Sequence, residues 1–275
     1  MKQLVCFKSV ADLDQLPSSF WQQLHAAGIE NLIPNINFSF LRQIFNMDDQ
    51  VALELAMQMR QRLAESESEV CVESYAVTIG KETNQALMNQ LLAVGFDHVV
   101  RVLPDTDSEL KWNSAYKADL LANYAQEADL NLIVMGEKDS ESSAGETGYV
   151  LSEKLGWPCL NNVIGYTAVG LNELQVCCES ALEKTEYLVT LPVVLLTSDS
   201  ASRIVLRSPT LAEKSAAKSE KITEIINDNN LEDKSLPVRK LTMSDTQRQA
   251  KILSGDLEDQ VEKLWQEHLK PRWRS

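Results

Sequence analysis

Short apolar runs alternate with stretches of helical periodicity through the first half of the chain. Gln3 to Phe7, Val70 to Val77, His98 to Val102 and Leu130 to Met135 are rich in β-forming residues and too short for buried helices. They predict central strands of a parallel sheet. Between the first two runs, Val51, Leu55, Met59 and Leu63 recur at helical spacing, with Asn46 as a candidate cap and Asp48 and Asp49 in the first turn. Val150, Leu151 and Leu155 start a further helical pattern after the fourth run. From Glu173 the pattern changes. Leu174-Gln-Val-Cys-Cys and Glu186-Tyr-Leu-Val-Thr-Leu flank a polar turn near Leu182 to Thr185, which predicts an antiparallel hairpin, and Pro192-Val-Val-Leu-Leu-Thr adds another buried run. Residues 198–250 are polar, poor in aromatics and interrupted by Asp228-Asn-Asn and Leu236-Pro, as expected of an extended arm. The arm ends in a helical stripe of Leu257, Val261, Leu264, Trp265 and His268, which either folds back on its own domain or clasps a second subunit. No internal repeat is evident.

These elements predict an α/β fold: a doubly wound, mostly parallel, Rossmann-like sheet with an antiparallel hairpin addition and an extended C-terminal arm ending in a helix. Residues 1–197 form the nucleotide-binding α/β domain and residues 198–275 the arm. In such sheets ligands bind beyond the carboxyl ends of the strands, which gathers Cys6 to Lys8, Asn46 to Asp49, Ile79 and Gly136 to Gly148 around one crevice. The last segment, Gly136-Glu-Lys-Asp-Ser-Glu-Ser-Ser-Ala-Gly-Glu-Thr-Gly148, lies between a strand and a helix start. Its backbone N–H groups, the hydroxyls of Ser142, Ser143 and Thr147, and a helix N-terminus carrying roughly half a positive charge suit an anionic nucleotide. The sequence fits neither G-x-G-x-x-G nor the lysine-containing Walker loop, so a solvated connection is the competing reading. Likewise Asn46 and Asp48 either contact ligand or merely cap their helix.

A net charge of −14 over 275 residues argues against nucleic acid as a partner. The longest apolar runs are too short for membrane insertion, and the start lacks the long apolar region of a signal peptide, so a cytoplasmic protein is expected. Five cysteines without C-x-x-C read as buried thiols in a reducing compartment. Three scattered histidines give no metal-ligand spacing, and no nucleophile motif such as G-x-S-x-G occurs. No catalytic residue and no metal site is predicted. Redox or other chemistry would come from a bound cofactor.

Five motifs in order resemble the beta subunit of electron transfer flavoproteins, including the Fix-type branch, over roughly residues 1–225. Leu4-Val-Cys-Phe-Lys-Ser-Val-Ala-Asp12 is similar to the family's opening strand and the segment after it. Asn46-Met-Asp-Asp-Gln-Val-Ala-Leu-Glu-Leu-Ala56 is similar to its Asn-Pro helix start, and Ala93-Val-Gly-Phe-Asp97 to its turn before a strand. Leu132-Ile-Val-Met-Gly136 with the polar loop and Leu155-Gly-Trp-Pro158 resembles its nucleotide loop, and Leu191-Pro-Val-Val its later strand start.

The resemblance implies a subunit that pairs with an electron transfer flavoprotein alpha subunit as a heterodimer and is an electron carrier, not itself an enzyme. FAD shared with the alpha subunit would carry electrons between flavin dehydrogenases and a quinone-linked or other acceptor, both bound transiently. The beta-subunit crevice would hold AMP, or a second FAD in electron-bifurcating members. The implied cofactor-binding residues are Cys6, Asn46, Met47, Asp48, Asp49 and Ile79, with Gly136, Lys138, Ser142, Ser143, Ala144, Gly145, Glu146 and Thr147 in the loop. The chain departs from the family in this loop, where a Gln, an Ala and two Asp are replaced and Glu137, Glu141 and Glu146 add negative charge, and at Met47, where the family has Pro. AMP and FAD therefore both stay open. The resemblance also makes Ser198 to Pro209 a partner-recognition loop, in which Ile204, Val205 and Leu206 either anchor a dehydrogenase or pack internally. Two other readings stand beside this one: a free-standing adenine-nucleotide sensor, and a nucleotide-free structural partner.

Overall fold

The computed structural model describes residues 1–20, 40–66, 70–80, 84–104, 113–139, 145–198, 204–219, 221–226 and 252–273. Ser142, Ser143 and Ala144 lie outside the described residues, as do His25 and the breaks at Asp228 and Leu236.

The predicted apolar runs become the centre of a nine-stranded sheet. Strand β1 (Lys2–Cys6) is followed by a small antiparallel pair, β2 (Ser9–Ala11) with β3 (Gln43–Phe45), and by helix α1 (Met47–Glu65). Then come β4 (Glu73–Ile79), α2 (Gln85–Val94), β5 (His98–Leu103), α3 (Ser114–Glu127), β6 (Leu132–Gly136) and α4 (Thr147–Leu155). The later strands are β7 (Cys159–Ala168), β8 (Glu173–Glu179), β9 (Lys184–Thr190), β10 (Val193–Thr197) and β11 (Thr223–Ile226), with the short helix α5 (Leu211–Ala216) before the last of them. The sheet order is β11-β5-β4-β1-β6-β10-β7-β8-β9, parallel from β11 through β7 and antiparallel across β8 and β9.

The order reverses at β1. Its neighbours are β4 on one side and β6 on the other, with Leu4 opposite both Tyr75 and Ile133. A crevice opens where two parallel strands send their connections to opposite faces, and here that place is the carboxyl end of β1 and β6. Alternation along each central strand fills both faces. Val5, Ala76, Val99, Val134 and Leu195 pack with α1 and α2, while Leu4, Val77, Val100, Ile133 and Leu196 pack with residues of α3 and α4. Gln3 is buried between them without cost in lost hydrogen bonds, donating to Ser74 Oγ at 2.7 Å and accepting from the Tyr166 hydroxyl at 3.2 Å.

Four differences from the sequence reading have physical causes. The strand expected from Val70 starts at Glu73, because Glu73 N is the first donor taken up by the neighbouring chain, at Met1 O. Strand β7 carries no clean alternation, since Asn161, Asn162 and Gly165 interrupt it and Asn162 turns to φ +52°. Within the polar stretch after the core, α5 packs on α2 and β11 pairs with β5, so residues 211–216 and 223–226 lie against the domain. Finally, the cysteines are all thiols, but only Cys6 is buried and Cys71 is exposed.

Leu206 is buried in the core and Ile204 packs beside it, whereas Val205 is 64 % exposed. The arm's end is helical, with α6 (Leu257–Leu264) running into a wider turn over Trp265–Leu269. Asp256 caps α6 by accepting from Asp259 N at 2.9 Å. No helix among the described residues is long and apolar enough to cross a membrane, and these residues hold no cluster able to bind a metal ion.

Candidate functional site

A cleft of about 170 Å³ lies at the carboxyl ends of β1, β4 and β6, where the strand order reverses. Its floor and one wall are apolar: Cys6, Phe7, Val77, Ile79, Leu121 and Met135. Its polar rim comes from Lys8 after β1, Asn46 and Asp49 at the start of α1, Gly136 to Asp139 after β6, and Gly145 to Gly148 at the start of α4. The first turn of α3 supplies Ser114 and Lys117.

Of the residues predicted from sequence, Cys6, Asn46, Asp49, Ile79, Gly136 and Lys138 line this cleft, as do Gly145, Glu146 and Thr147. Met47 does not; it is 59 % exposed on the outer side of α1. Asp48 is buried beneath the rim, facing the loop backbone instead of the open space. Ser114, Lys117 and Leu121 carry no sequence signal of their own, because the start of α3 follows a polar stretch with no motif to fix it.

The Asn46 to Asp49 segment has a role that neither sequence reading contained. Asn46 makes no side-chain cap bond to its own helix. Instead its amide donates to Lys138 O at 2.8 Å, Asp48 Oδ2 accepts from Lys138 N at 3.0 Å, and Asp49 Oδ1 accepts from Gly136 N at 2.9 Å. Asp49 Oδ2 accepts from Lys8 N at 2.8 Å, and the Asp48 carbonyl accepts from Thr197 Oγ1 at 2.9 Å. One helix start thus clasps the ends of β1, β6 and β10. The clasp is close: a Cβ at Gly136 would run into the Asp49 carboxylate and come within 2.8 Å of Asp48 Cβ and 2.9 Å of Asp49 N.

The electrostatics follow from burial. Asp49 is pushed up to about 7, chiefly because it is cut off from water; the N–H groups of Lys8 and Gly136 and the Asn46 amide oppose this, and the charge of Asp48 adds to it. Burial thus works against the Asp49 charge that Lys8, Gly136 and Asn46 stabilise. Burial and the nearby Asp49 raise the Cys6 thiol, so it is an inert apolar lining group and not a thiolate. Lys117 is lowered, first by burial and then by the charge of Lys8. Lys8 itself pairs with Asp139 at 3.5 Å.

The apolar slot with its polar rim lies at the reversal point of a parallel sheet in a Rossmann-like fold, the place where such sheets take their ligands. Comparison with known proteins agrees with the fold class. A model of the family described as "Electron transfer flavoprotein domain" matches residues 40–229, and the chain belongs to this family. The chain is also similar to "Putative electron transfer flavoprotein subunit YgcR" of Escherichia coli (strain K12), with 28% identity over 279 residues, covering 99% of this chain and 99% of that protein. Family membership gives the protein an electron-transfer role in a family of flavoproteins.

Proposed function

We propose that this chain is the beta-type subunit of a heterodimeric electron transfer flavoprotein, and that its own cleft binds an adenine nucleotide, AMP or the adenylate half of a second FAD. The observation that carries the proposal is the cleft at the β1/β6 reversal, with an apolar wall for a base and lysines at the rim for phosphate. The residues present fit such a ligand: Val77, Ile79, Leu121 and Met135 can cover a purine face, while Lys8, Lys117 and Lys138 can meet its charge. Glycine at 145, where φ is +64°, and at 148, where a Cβ would strike the Leu196 side chain, lets the loop and α4 approach closely.

The FAD shared with an alpha subunit would supply the electron-carrying chemistry between a flavin dehydrogenase and its acceptor. This chain would hold its own nucleotide in place and present a rigid face to the partner. An exposed apolar stripe on the arm supports a partner over a free-standing sensor. Leu257, Val261, Leu264, Trp265 and Leu269 are all more than 40 % exposed along one short helical segment, more apolar surface than a solitary helix keeps in water without cause.

Co-expressed with its alpha-type partner, the chain is expected to purify as a yellow complex whose visible flavin band follows both subunits through size exclusion. A colourless chain that purifies alone and binds adenine nucleotide would favour the sensor. A complex with flavin but no second nucleotide would favour a structural partner, a reading to which Glu137, Asp139 and Glu146 at the rim lend weight.

A further inference from the structure

A phosphorylated ligand brings negative charge into the cleft, and the backbone nearest the strand end is not free to meet it. The N–H groups of Gly136, Glu137 and Lys138 are committed to Asp49, Thr197 and Asp48 at 2.9, 2.8 and 3.0 Å. Lys8 is shared with Asp139.

Lys117 is placed differently. It lines the cleft from the first turn of α3, where the aligned peptide dipoles disfavour a cation. Burial strips part of its water, and the like charge of Lys8 adds to the penalty. Among the described residues no acceptor lies within hydrogen-bond or ion-pair reach of its Nζ; Asp139 and Glu146 act on it only through space. On the neighbouring helix Lys154, by contrast, is paired with Asp119 at 2.5 Å. One anion in the cleft offsets all three costs at close range, where Asp139 and Glu146 offset them only from a distance.

We infer that Lys117 binds the anionic group of the cleft's ligand and sets the preference for phosphorylated over unphosphorylated nucleoside. This rests on the adenine-nucleotide reading and assigns the residue that reads the phosphate. The phosphate sits between the first turns of α3 and α4, at Ser114 and Thr147, so two helix N-termini add to the lysine.

The test is calorimetric titration of the full chain, freed of bound nucleotide, with AMP and with adenosine. Wild type is expected to bind AMP at least about tenfold tighter than adenosine, and Lys117→Met to lower AMP affinity by about 10- to 100-fold while leaving adenosine within about twofold. Lys117→Arg is expected to keep most of the preference, since the charge stays in place. A loss of less than about threefold for AMP, or an equal loss for AMP and adenosine in Lys117→Met, would overturn the assignment. Equal binding of the two ligands by wild type would also overturn it while leaving the nucleoside site intact. If wild type takes neither ligand, the adenine-nucleotide reading itself fails.

Discussion

Gly136→Val is expected to destabilise the chain by about 3–5 kcal/mol and to empty the cleft of nucleotide. Gly136 ends β6 directly against the start of α1, and any Cβ there meets the Asp49 carboxylate, Asp48 Cβ and Asp49 N. None of these can yield cheaply. Asp49 is fixed by Lys8 N and Gly136 N, and the Asp48 carbonyl by Thr197 Oγ1. α1 is pushed away, and the Gly136–Asp49 hydrogen bond breaks with it and leaves a buried carboxylate short of a donor. Overpacking costs about 1–3 kcal/mol and a hydrogen bond to a charged group about 1.5–3 kcal/mol. Urea unfolding gives the stability change, and nucleotide released on denaturation gives the occupancy. Gly145→Ala serves as the milder comparison, since its Cβ would come no nearer than 3.1 Å to Glu137 O and the main cost is a positive φ of about 1–2 kcal/mol. A loss of under about 1 kcal/mol for Gly136→Val would mean that the clasp does not brace the loop.

Arg101→Met is expected to cost about 2–4 kcal/mol and to release β11 from the sheet edge. Arg101 lies on β5 at 1 % exposure, an unusual place for a guanidinium. Its Nη1 donates to Glu224 on β11 at 2.5 Å, and its Nη2 donates to Gln85 at 2.9 Å and Asn84 at 3.3 Å. Glu224 stands opposite Arg101 in the β5/β11 register, so the pair fixes where that short edge strand docks. Methionine fills the space but leaves three acceptors without their donor. Amide exchange is expected to rise across Thr223–Ile226 well before the central strands respond. The double variant Arg101→Met/Glu224→Leu should recover part of the loss, because it no longer leaves the half-exposed Glu224 carboxylate without its donor. Among the described residues Arg101 Nε has no partner, so the arginine's own burial is incompletely compensated and this recovery is favoured. Unchanged exchange in β11 for the single variant would contradict the docking role.

The central strands and α1 were legible because their apolar residues are contiguous or at fixed helical spacing. The rule that places ligands at the carboxyl ends of strands picks out Cys6, Asn46, Asp49, Gly136 and Thr147 from the sequence, and the cleft contains them. Strand β7 was hidden by Asn161, Asn162 and Gly165. Strand β11 was hidden because Thr223-Glu-Ile-Ile is too short to carry a pattern, and the pair that holds it spans 123 residues of sequence. The clasp was out of reach for the same reason: Asp49 and Asp48 meet backbone donors 87 and 90 residues away, and a carboxylate near a helix start looks like a cap until its partner is known. Lys117 was missed because a lysine on a helix is ordinarily a solvated surface charge, and only the packing of α3 beside the cleft makes it otherwise.

The most direct measurement is the nucleotide content of the chain purified with its alpha-type partner, denatured and assayed for AMP and FAD by chromatography and mass. The heterodimer reading predicts a second adenine nucleotide beyond the flavin at the subunit junction: one FAD with one AMP for an ordinary carrier, or two FAD for a bifurcating one. A single FAD and nothing else would contradict it, leaving the β1/β6 cleft without the ligand proposed for it.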